Sequence, residues 1–291
     1  MCIRDRSNIS ASQVKELREK TGLGLMDCKK ALEEANGDLD LAIEELRKSS
    51  GLKASKKSSR SAADGLIGIK SFEGRSFMVE INCETDFVAR DDSFNGFMEE
   101  VLEIVSSNAD KDLQELLDES IEEQREKLVQ KLGENIVVRR IASSDNNADS
   151  SGVYLHSNNK IGTIVSLQGG SEEVAKDIAM HAAATDPMAI SPSDIPVEVV
   201  EKEREIYKAQ SEESGKPEDI VEKMIEGKIR KFLSEVSLTE QDFVKDPNKT
   251  IHDLLKDSNA SIVSFTRFEV GEGIEVEKID FASEVMSQIE G

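Results

Sequence analysis

The residues best suited to chemistry lie in the stretch INCETDFVARDDSFNGF, residues 81–97. Alternating apolar residues predict a strand that ends here, and helical spacing begins after a polar turn. We call residues 84–88 the corner. Thr85 and Asp86 suit the start of a helix, because a Thr oxygen accepts a hydrogen bond from a free backbone N–H and a carboxylate favours the positive end of the helix. A structural cap therefore explains both residues.

Phe87 is harder to explain as a structural residue. The chain has 4% aromatic residues and no Trp, and this Phe follows a polar turn instead of lying in an apolar stripe. Residues at loop tips between rigid elements are often functional. The residues alone leave two interpretations of the corner open, a helix cap and a binding tip.

The sequence has no pattern typical of an active site or a nucleotide site. The spacing of its histidines matches no common metal-binding motif, and it lacks the Gly-x-Ser-x-Gly and phosphate-loop patterns. Gly22 and Gly24 resemble part of a dinucleotide fingerprint, but Asp27 occupies the place of the third glycine. Residues 91–102 imitate a calcium loop, but Leu102 replaces the bidentate Glu. The motifs therefore support neither an enzyme nor a bound metal or cofactor, and we expect none of them, although an active site without a recognisable motif stays open.

Composition predicts a globular cytoplasmic protein. The length of 291 residues suggests roughly two domains, and 37% hydrophobic with 33% charged residues is a normal mixture. No apolar run approaches the roughly 18 residues that a membrane helix needs, and the opening MCIRDRS carries charges where a signal peptide is apolar. The three cysteines are Cys2, Cys28 and Cys83. Their odd number and wide spacing argue against a disulfide framework or a zinc site.

The net charge of −22 argues against direct binding of nucleic acid, because binding to phosphates depends on Lys and Arg. The charge is unevenly distributed. Residues 9–60 carry 11 Lys and Arg against 9 Asp and Glu, so nearly all of the acidic excess belongs to the rest of the chain. This division suggests separate surfaces for separate contacts, although acidic residues also serve solubility.

The N-terminal part predicts three short helices, which we call the helical module (residues 8–52). Ser10 and Gln13 form a capping box, and Asp38 is a typical N-cap for the third helix. Apolar residues recur at helical spacing along the predicted helices: Val14 and Leu17; Leu25, Cys28, Leu32 and Ala35; and Leu39, Ala42, Ile43 and Leu46. Residues 53–61, KASKKSSRS, lack this periodicity and are expected to form a linker.

After the linker, the apolar period changes to two. A hairpin with its turn at Glu73 and Gly74 leads into helices over residues 94–105 and 112–132 and then into the strand NIVVRRIA. A similar order recurs later, with a strand pair that turns near Asn158, helices from Glu172 and the late strand SIVSFTRFEV. Two strands, helices and one strand thus occur twice, as a weak internal repeat of element order.

The second copy of the repeat is interrupted by an insertion over residues 191–236. Prolines bracket two charged helices there, so the insertion predicts a protruding or dimerising helical hairpin. The end of the chain, IDFASEVMSQIEG, has apolar residues on one helical face and predicts a docking helix.

Several segments together resemble bacterial elongation factor Ts. They are VKELREKTGLGLMDCKKALEEANGDLDLAIEELRKSSGLKASKK, TDFVA, GENIVVRRIA, IAMHAAA, SGKPEDIVEKMIEGKIRKF, EVSLTEQDFV and FEVGEGIE. The resemblance covers the chain from Ile9 to its end, whereas MCIRDRS lies outside the family pattern and is expected to be a non-native extension.

The resemblance implies an α+β fold, with a ubiquitin-associated-like three-helix module, a core of two related subdomains with antiparallel sheets, an inserted hairpin and a C-terminal helix. The expected boundaries are residues 1–7 for the extension, 8–52 for the helical module, 53–61 for the linker, 62–145 for the first core subdomain, 150–190 with 237–273 for the second, 191–236 for a dimerisation insertion and 274–291 for a C-terminal helical module.

The resemblance also implies a guanine-nucleotide exchange factor for elongation factor Tu in translation elongation, acting on the GDP-bound and nucleotide-free forms of that GTPase. By position, the residues expected to displace Mg²⁺ from the partner are Thr85, Asp86, Phe87 and Val88. The residues expected to bind the partner are Arg18, Leu25, Met26 and His156. Leu25 and Met26 are adjacent and cannot both face inward, so one exposed apolar residue is expected there. A homodimer through the insertion is a further expectation.

Two other functions remain open at the level of sequence. One is a non-catalytic adaptor that uses a ubiquitin-associated-like module to hold a partner without changing the partner's ligand. The other is a metal-dependent hydrolase that uses Glu84, Asp86 and a histidine.

Overall fold

The structure, a computed structural model, describes residues 9–108, 111, 113–116, 119–212 and 217–275. The helices are α1 (Ala11–Thr21), α2 (Leu25–Glu34), α3 (Leu39–Lys57), α4 (Asp86–Ala89), α5 (Asp92–Ser107), α6 (Leu113–Leu116), α7 (Glu119–Leu132), α8 (Glu172–Thr185), α9 (Val197–Glu212), α10 (Glu218–Val236) and α11 (Ile251–Asp257). The strands are β1 (Asp64–Phe72), β2 (Arg75–Cys83), β3 (Val137–Ser143), β4 (Ser150–Leu155), β5 (Ile161–Gln168), β6 (Asp242–Phe243), β7 (Asp246–Thr250) and β8 (Ser261–Glu269). The expected α+β class is confirmed. The extension predicted for residues 1–7 lies outside the described residues, and so does the C-terminal helical module predicted for residues 274–291, except for residues 274 and 275.

The three helices of the helical module are present, and their caps explain where they begin and end. Ser10 and Gln13 exchange the hydrogen bonds of a capping box, with the Ser10 N–H to Gln13 Oε1 distance at 3.0 Å. Gly22 ends α1 with a φ of 67°, a left-handed conformation that glycine adopts without strain. The Asp38 carboxylate caps α3 by accepting from two backbone N–H groups. Local chemistry therefore sets most of these helix ends.

Helix α3 continues to Lys57, so the prediction of an irregular linker is wrong for residues 53–57. Helix α3 packs against α7, and its residues Ser50 and Ala54 are buried. Near them, Arg47 forms a 2.9 Å ion pair with Glu123 of α7. Because the buried face consists of small residues, it has little of the apolar periodicity by which a helix is recognised in a sequence.

Six of the strands form two sheets of three with the same pattern of neighbours, and β6 pairs with β7 in a two-stranded sheet. The first sheet has the order β1-β2-β3, and the second has the order β4-β5-β8. Glu73 and Gly74, with φ values of 49° and 78°, turn the first hairpin as sequence predicts, since its tight turn needs two positive φ angles. In the second sheet, β5 pairs antiparallel with both β4 and β8. In each sheet, the strand that comes last in the chain pairs with the middle strand, β3 with β2 and β8 with β5. This arrangement agrees with the repeat of element order.

The chain divides into two compact units. The first comprises residues up to 66, residues 79–140 and residues from 270 onward, and the second comprises residues 67–78 and 141–269. In the second unit, α8 packs on β4 and β5 around a core that includes Val165, Leu167 and Ile178. The inserted helices α9 and α10 pack on each other. Among the described helices, none is both long and apolar enough to span a bilayer.

A fully buried carboxylate fixes the strand that leads to the corner. Glu80 of β2 has no exposed surface, and its Oε1 accepts from Arg139 at 3.0 Å, from Asn82 at 3.1 Å and from the Gly271 N–H at 3.0 Å. Its Oε2 accepts from Arg140 of β3. A buried carboxylate needs this many donors because losing its hydration is costly. The cluster therefore fixes β2 against β3 and against the turn that follows β8.

Burial alone would raise the pKa of the Glu80 carboxyl, but the hydrogen bonds from Gly271, Arg140, Asn82 and Arg139 outweigh this effect. The pKa therefore lies below its usual value of 4.5. A carboxyl whose pKa is lower in the folded than in the unfolded state contributes stability at pH values above the unfolded pKa. That contribution is lost as the pH falls through the folded pKa.

We expect Glu80→Gln to lower the free energy of unfolding at pH 7 by about 3 kcal/mol or more, because it leaves two arginines without their buried partner. The difference from the wild type should begin to shrink below about pH 4, where the carboxyl of the unfolded chain takes up its proton, and should shrink further as the pH falls through the lowered folded pKa. Urea denaturation at pH 7, 5 and 3.5 measures both quantities, with Glu99→Gln on the exposed face of α5 as the control. An equal loss of stability at all three pH values would contradict this role of the charge.

Candidate functional site

The corner connects β2 to the short helix α4. Thr85 is the N-cap of α4, with an extended backbone at φ −133° and ψ 157°, and its hydroxyl oxygen accepts the Val88 N–H at 3.5 Å. Asp86 occupies the first turn, where a carboxylate favours the positive end of the helix. The predicted cap is therefore present. It accounts for Thr85 and partly for Asp86.

The Asp86 carboxylate forms a 2.7 Å ion pair with the Arg90 guanidinium, one helical turn later. Both side chains are substantially exposed, and exposed pairs of this spacing contribute little to stability. The Asp86 carboxylate is therefore a charged surface group, and replacing its ion pair with Arg90 by an interaction with another group costs little.

Phe87 projects into solvent, with 81% of its surface exposed. Its neighbours Val88 and Ala89 are buried at 8% and 2% exposure, so they hold α4 on the body of the protein. A core role for Phe87 is excluded by this geometry. A large apolar ring kept in water at a fixed turn is typical of a binding residue.

The backbone of the corner is held by Glu134, which lies between α7 and β3. Its Oε2 accepts the N–H groups of Glu84 and Thr85, each at 3.0 Å, and its Oε1 accepts the Thr85 hydroxyl at 2.7 Å. In return, Glu84 Oε1 accepts the Asn135 N–H at 2.6 Å. No local sequence pattern marks Glu134 as part of the site, because it lies 49 residues from Thr85.

Asn135 extends this network to the end of the helical module's last helix. Its side-chain amide donates to the Arg60 carbonyl at 2.9 Å and lies 3.4 Å from the Ser58 carbonyl. The Asn135 side chain is almost fully buried. The chain segment after α3 and the corner are thus held by adjacent residues, Glu134 and Asn135.

The helical module presents an apolar pair to solvent at the start of α2. Leu25 is 54% exposed and Met26 is 71% exposed. The prediction that Leu25 belongs to the inward stripe is wrong, because α2 begins at Leu25 and its inward face consists of Cys28, Ala31 and Leu32. One exposed residue was expected here, but both Leu25 and Met26 are exposed and available for contact.

Two further residues expected at the site are exposed. Arg18 lies on the solvent face of α1. His156 lies in the loop between β4 and β5, where its Nδ1 is 2.9 Å from Asn158 Oδ1 and its ring meets Tyr154 edge-on at 6.5 Å. The corner and Arg18 belong to the first compact unit and His156 to the second.

Lys131 of α7 connects the helical module with the helix that follows the corner. Gly22 lies beside the Lys131 side chain, since a Cβ atom placed on this glycine would be 3.7 Å from Lys131 Cε. The Nζ of Lys131 donates to Ser93 Oγ of α5. The loop between α1 and α2 therefore approaches the same face of the first unit as the start of α5.

The described residues contain no group of three His, Cys, Asp or Glu side chains that could hold a metal ion. Glu84 instead serves as an acceptor for Asn135. His181 is buried, and burial lowers its pKa despite the opposing effect of its hydrogen bond to Gln241. Its other ring nitrogen accepts the Val244 N–H, so we assign a neutral structural histidine. Glu84 and His181 therefore both have hydrogen-bond partners within the chain.

Comparison with known proteins identifies relatives over almost the whole chain. Residues 84–272 match the family model described as Elongation factor TS. An elongation factor Ts from Hahella chejuensis is 54% identical over 285 residues, which is 97% of this chain and 99% of that protein. One from Teredinibacter turnerae is 54% identical over 284 residues, 97% of each chain. One from Francisella tularensis subsp. novicida is 52% identical over 291 residues, 98% of this chain and 100% of that protein.

The exposure of Phe87 predicts that its removal costs little stability. We expect Phe87→Ala to change the free energy of unfolding by less than about 0.5 kcal/mol, as surface substitutions usually do. The matched change Phe94→Ala removes the same atoms from a fully buried position on α5 and should cost about 3–5 kcal/mol. Thermal melts of the two variants provide the test. A melting temperature for Phe87→Ala as low as that for Phe94→Ala would place the ring in the core.

Proposed function

Because the chain belongs to the elongation factor Ts family and has a role in translation elongation, we propose that it is the guanine-nucleotide exchange factor of elongation factor Tu. In this role it binds the GTPase in its GDP-bound form, promotes release of GDP and remains bound to the nucleotide-free form. No covalent bond changes, so the protein is a catalyst of release and not an enzyme in the usual sense. It needs no cofactor of its own, and it works in the cytoplasm, where translation takes place.

The observation that carries the proposal is the exposure of Phe87 on a corner whose backbone is held by hydrogen bonds to Glu134. Aromatic residues that are already rigid before binding lose little conformational entropy when a partner covers them. They therefore often contribute most of the binding free energy. Phe87 has this character, since α4 is attached through the buried Val88 and Ala89.

The corner suits interference with a bound nucleotide. A GTPase holds GDP through backbone N–H groups at a helix N-terminus and through Mg²⁺ that bridges to phosphate oxygens. In our proposal, the ring of Phe87 inserts between side chains of the partner beside this site. The Asp86 carboxylate competes for polar contacts there, and Thr85 and Val88 shape the rest of the intruding turn. The result is displacement of Mg²⁺ from the partner and loss of the phosphate contacts.

The helical module supplies a second contact in this proposal. Leu25 and Met26 form an exposed apolar pair, which would be covered by an apolar surface of the GTPase, while Arg18 offers a charge on the neighbouring helix. His156, exposed on the β4–β5 loop, contacts another domain of the partner. Several contacts on one chain raise the effective concentration of each, so that the corner remains at the nucleotide site.

The inserted hairpin is the proposed surface for a homodimer. Its helices α9 and α10 leave Val197, Ile206 and Ile220 exposed, at 66%, 39% and 48% respectively. Burial of such residues between two copies would remove apolar surface from water, which favours association.

Release of a fluorescent GDP analogue from elongation factor Tu tests the function. We expect the wild-type protein to accelerate release at substoichiometric amounts, and Phe87→Ala to slow it by roughly 10- to 100-fold, since central aromatic residues at interfaces contribute about 2 kcal/mol or more. Phe72→Ala, which removes a half-exposed ring at the end of β1, is the matched control.

By thermodynamic linkage, GDP must weaken the complex by the same factor by which the protein weakens GDP binding. An affinity for Tu that is indifferent to GDP and Mg²⁺ would favour the adaptor.

A second measurement separates the helical module from the corner. We expect Leu25→Ser combined with Met26→Ser to weaken binding to elongation factor Tu by about tenfold or more, because the contact loses its apolar residues. The melting temperature should stay within a few degrees of wild type, since both side chains are exposed. Leu52→Ser, at a 67% exposed position on α3, is the control. If the control weakens binding as much as the double variant, then the apolar pair is not the contact.

A further inference from the structure

The Glu134 carboxylate accepts three hydrogen bonds, and all three come from the corner. Two are the consecutive backbone N–H groups of Glu84 and Thr85, at 3.0 Å each, and the third is the Thr85 hydroxyl at 2.7 Å. Hydrogen bonds to an ionised acceptor are shorter and stronger than those between neutral groups. A single side chain thus fixes both the path of the backbone into α4 and the orientation of the capping residue.

The hydroxyl of Thr85 has one hydrogen and two lone pairs. Because the hydrogen is donated to Glu134, the oxygen presents its lone pairs elsewhere, and one of them accepts the Val88 N–H at 3.5 Å. Glu134 therefore orients the N-cap of α4. This helix has only four residues, and so short a helix is unstable without external contacts.

The position of Glu134 is itself well determined by the chain around it. Gly133 adopts a φ of 82° and donates its N–H to Val129, which ends α7. On the other side, the Asn135 N–H donates to Glu84 and its side-chain amide donates to the Arg60 carbonyl. The carboxylate is therefore supported by a helix end and by a buried neighbour.

We propose that Glu134 is a positioning residue for nucleotide exchange. Its own side chain does not contact the partner. It holds Thr85 and the backbone of the corner so that Phe87 projects at a fixed angle, and its loss leaves Phe87 present but poorly oriented. This inference rests on the proposed function, because its effect on exchange requires that Phe87 acts on the GTPase.

A double-mutant cycle tests the inference. Glu134→Ala should slow GDP release from elongation factor Tu by about tenfold, because the corner loses three hydrogen bonds to a charged group. In a Phe87→Ala background, the same substitution should have almost no further effect, since there is no ring left to orient. A role in general stability would instead give the same fold-change in both backgrounds. Glu99→Ala on the exposed face of α5 is the control for loss of a carboxylate.

A variant pair at Thr85 keeps the test valid if Glu134→Ala does not fold. Thr85→Val removes the hydroxyl with nearly unchanged shape, and with it the hydrogen bond to Glu134 and the cap on the Val88 N–H that Glu134 orients, but it leaves both backbone hydrogen bonds to Glu134 in place. Thr85→Ser keeps the hydroxyl. We expect Thr85→Val to slow release by severalfold more than Thr85→Ser does. Equal rates for the two variants would contradict a role for the hydrogen bond from Thr85 to Glu134.

The order of the corner can also be measured without the partner. The chain has no Trp, so Phe87→Trp introduces a single fluorescent reporter at this position. Adding Glu134→Ala should lower the anisotropy of this indole, because nanosecond motion of the corner increases. Adding Glu99→Ala should leave it unchanged. An anisotropy that does not respond to Glu134→Ala would overturn the inference.

The outcomes separate the inference from the function on which it rests. If Phe87→Ala releases GDP as fast as wild type, then the proposed function of the corner fails, and the inference fails with it. If Phe87→Ala is slow but Glu134→Ala is as fast as wild type, then only the inference is overturned. Both are supported if Glu134→Ala slows release in the wild-type background, has no further effect in the Phe87→Ala background and lowers the anisotropy.

Discussion

A helix of one turn has too few hydrogen bonds to stabilise its own conformation, and this constraint governs the candidate site. Helix α4 has four residues, yet it carries the most exposed large apolar side chain among the described residues. Its conformation is therefore set by what surrounds it. Val88 and Ala89 attach it to the core, Glu134 holds its N-terminal backbone, and the buried Glu80 fixes the strand from which it departs.

The two exposed apolar sites share one structural position. Leu25 and Met26 are the first two residues of α2, and Asp86 and Phe87 are the first two residues of α4. In both helices, the residues that follow within the next turn are buried: Cys28 in the first and Val88 in the second. A side chain at the very start of a helix can thus remain in water while its neighbours provide the packing, so that its exposure costs little stability.

The carboxylates of this acidic chain have more than one task. Glu80, Glu84 and Glu134 act as hydrogen-bond acceptors for backbone and side-chain donors around the corner. They bring together segments distant in sequence, since each lies 49 or more residues from at least one of its donors. Many other acidic residues form exposed pairs one helical turn apart, such as Glu16 with Lys20 and Glu44 with Lys48. Exposed pairs of this kind contribute little to stability, whereas the buried Glu80 and the half-buried Glu84 and Glu134 determine the local fold.

The sequence by itself determined the elements and their local ends. The caps at Ser10, Asp38 and Thr85 and the turn at Glu73 and Gly74 were predictable, because each depends on hydrogen bonds or backbone angles within a few residues. The repeat of two strands, helices and a strand was predictable for the same reason. Only the tertiary structure decided that α3 continues to Lys57, that Leu25 faces solvent and that Glu134 holds the corner. These features depend on packing and hydrogen bonds between segments far apart in the chain, which no local pattern of residues encodes.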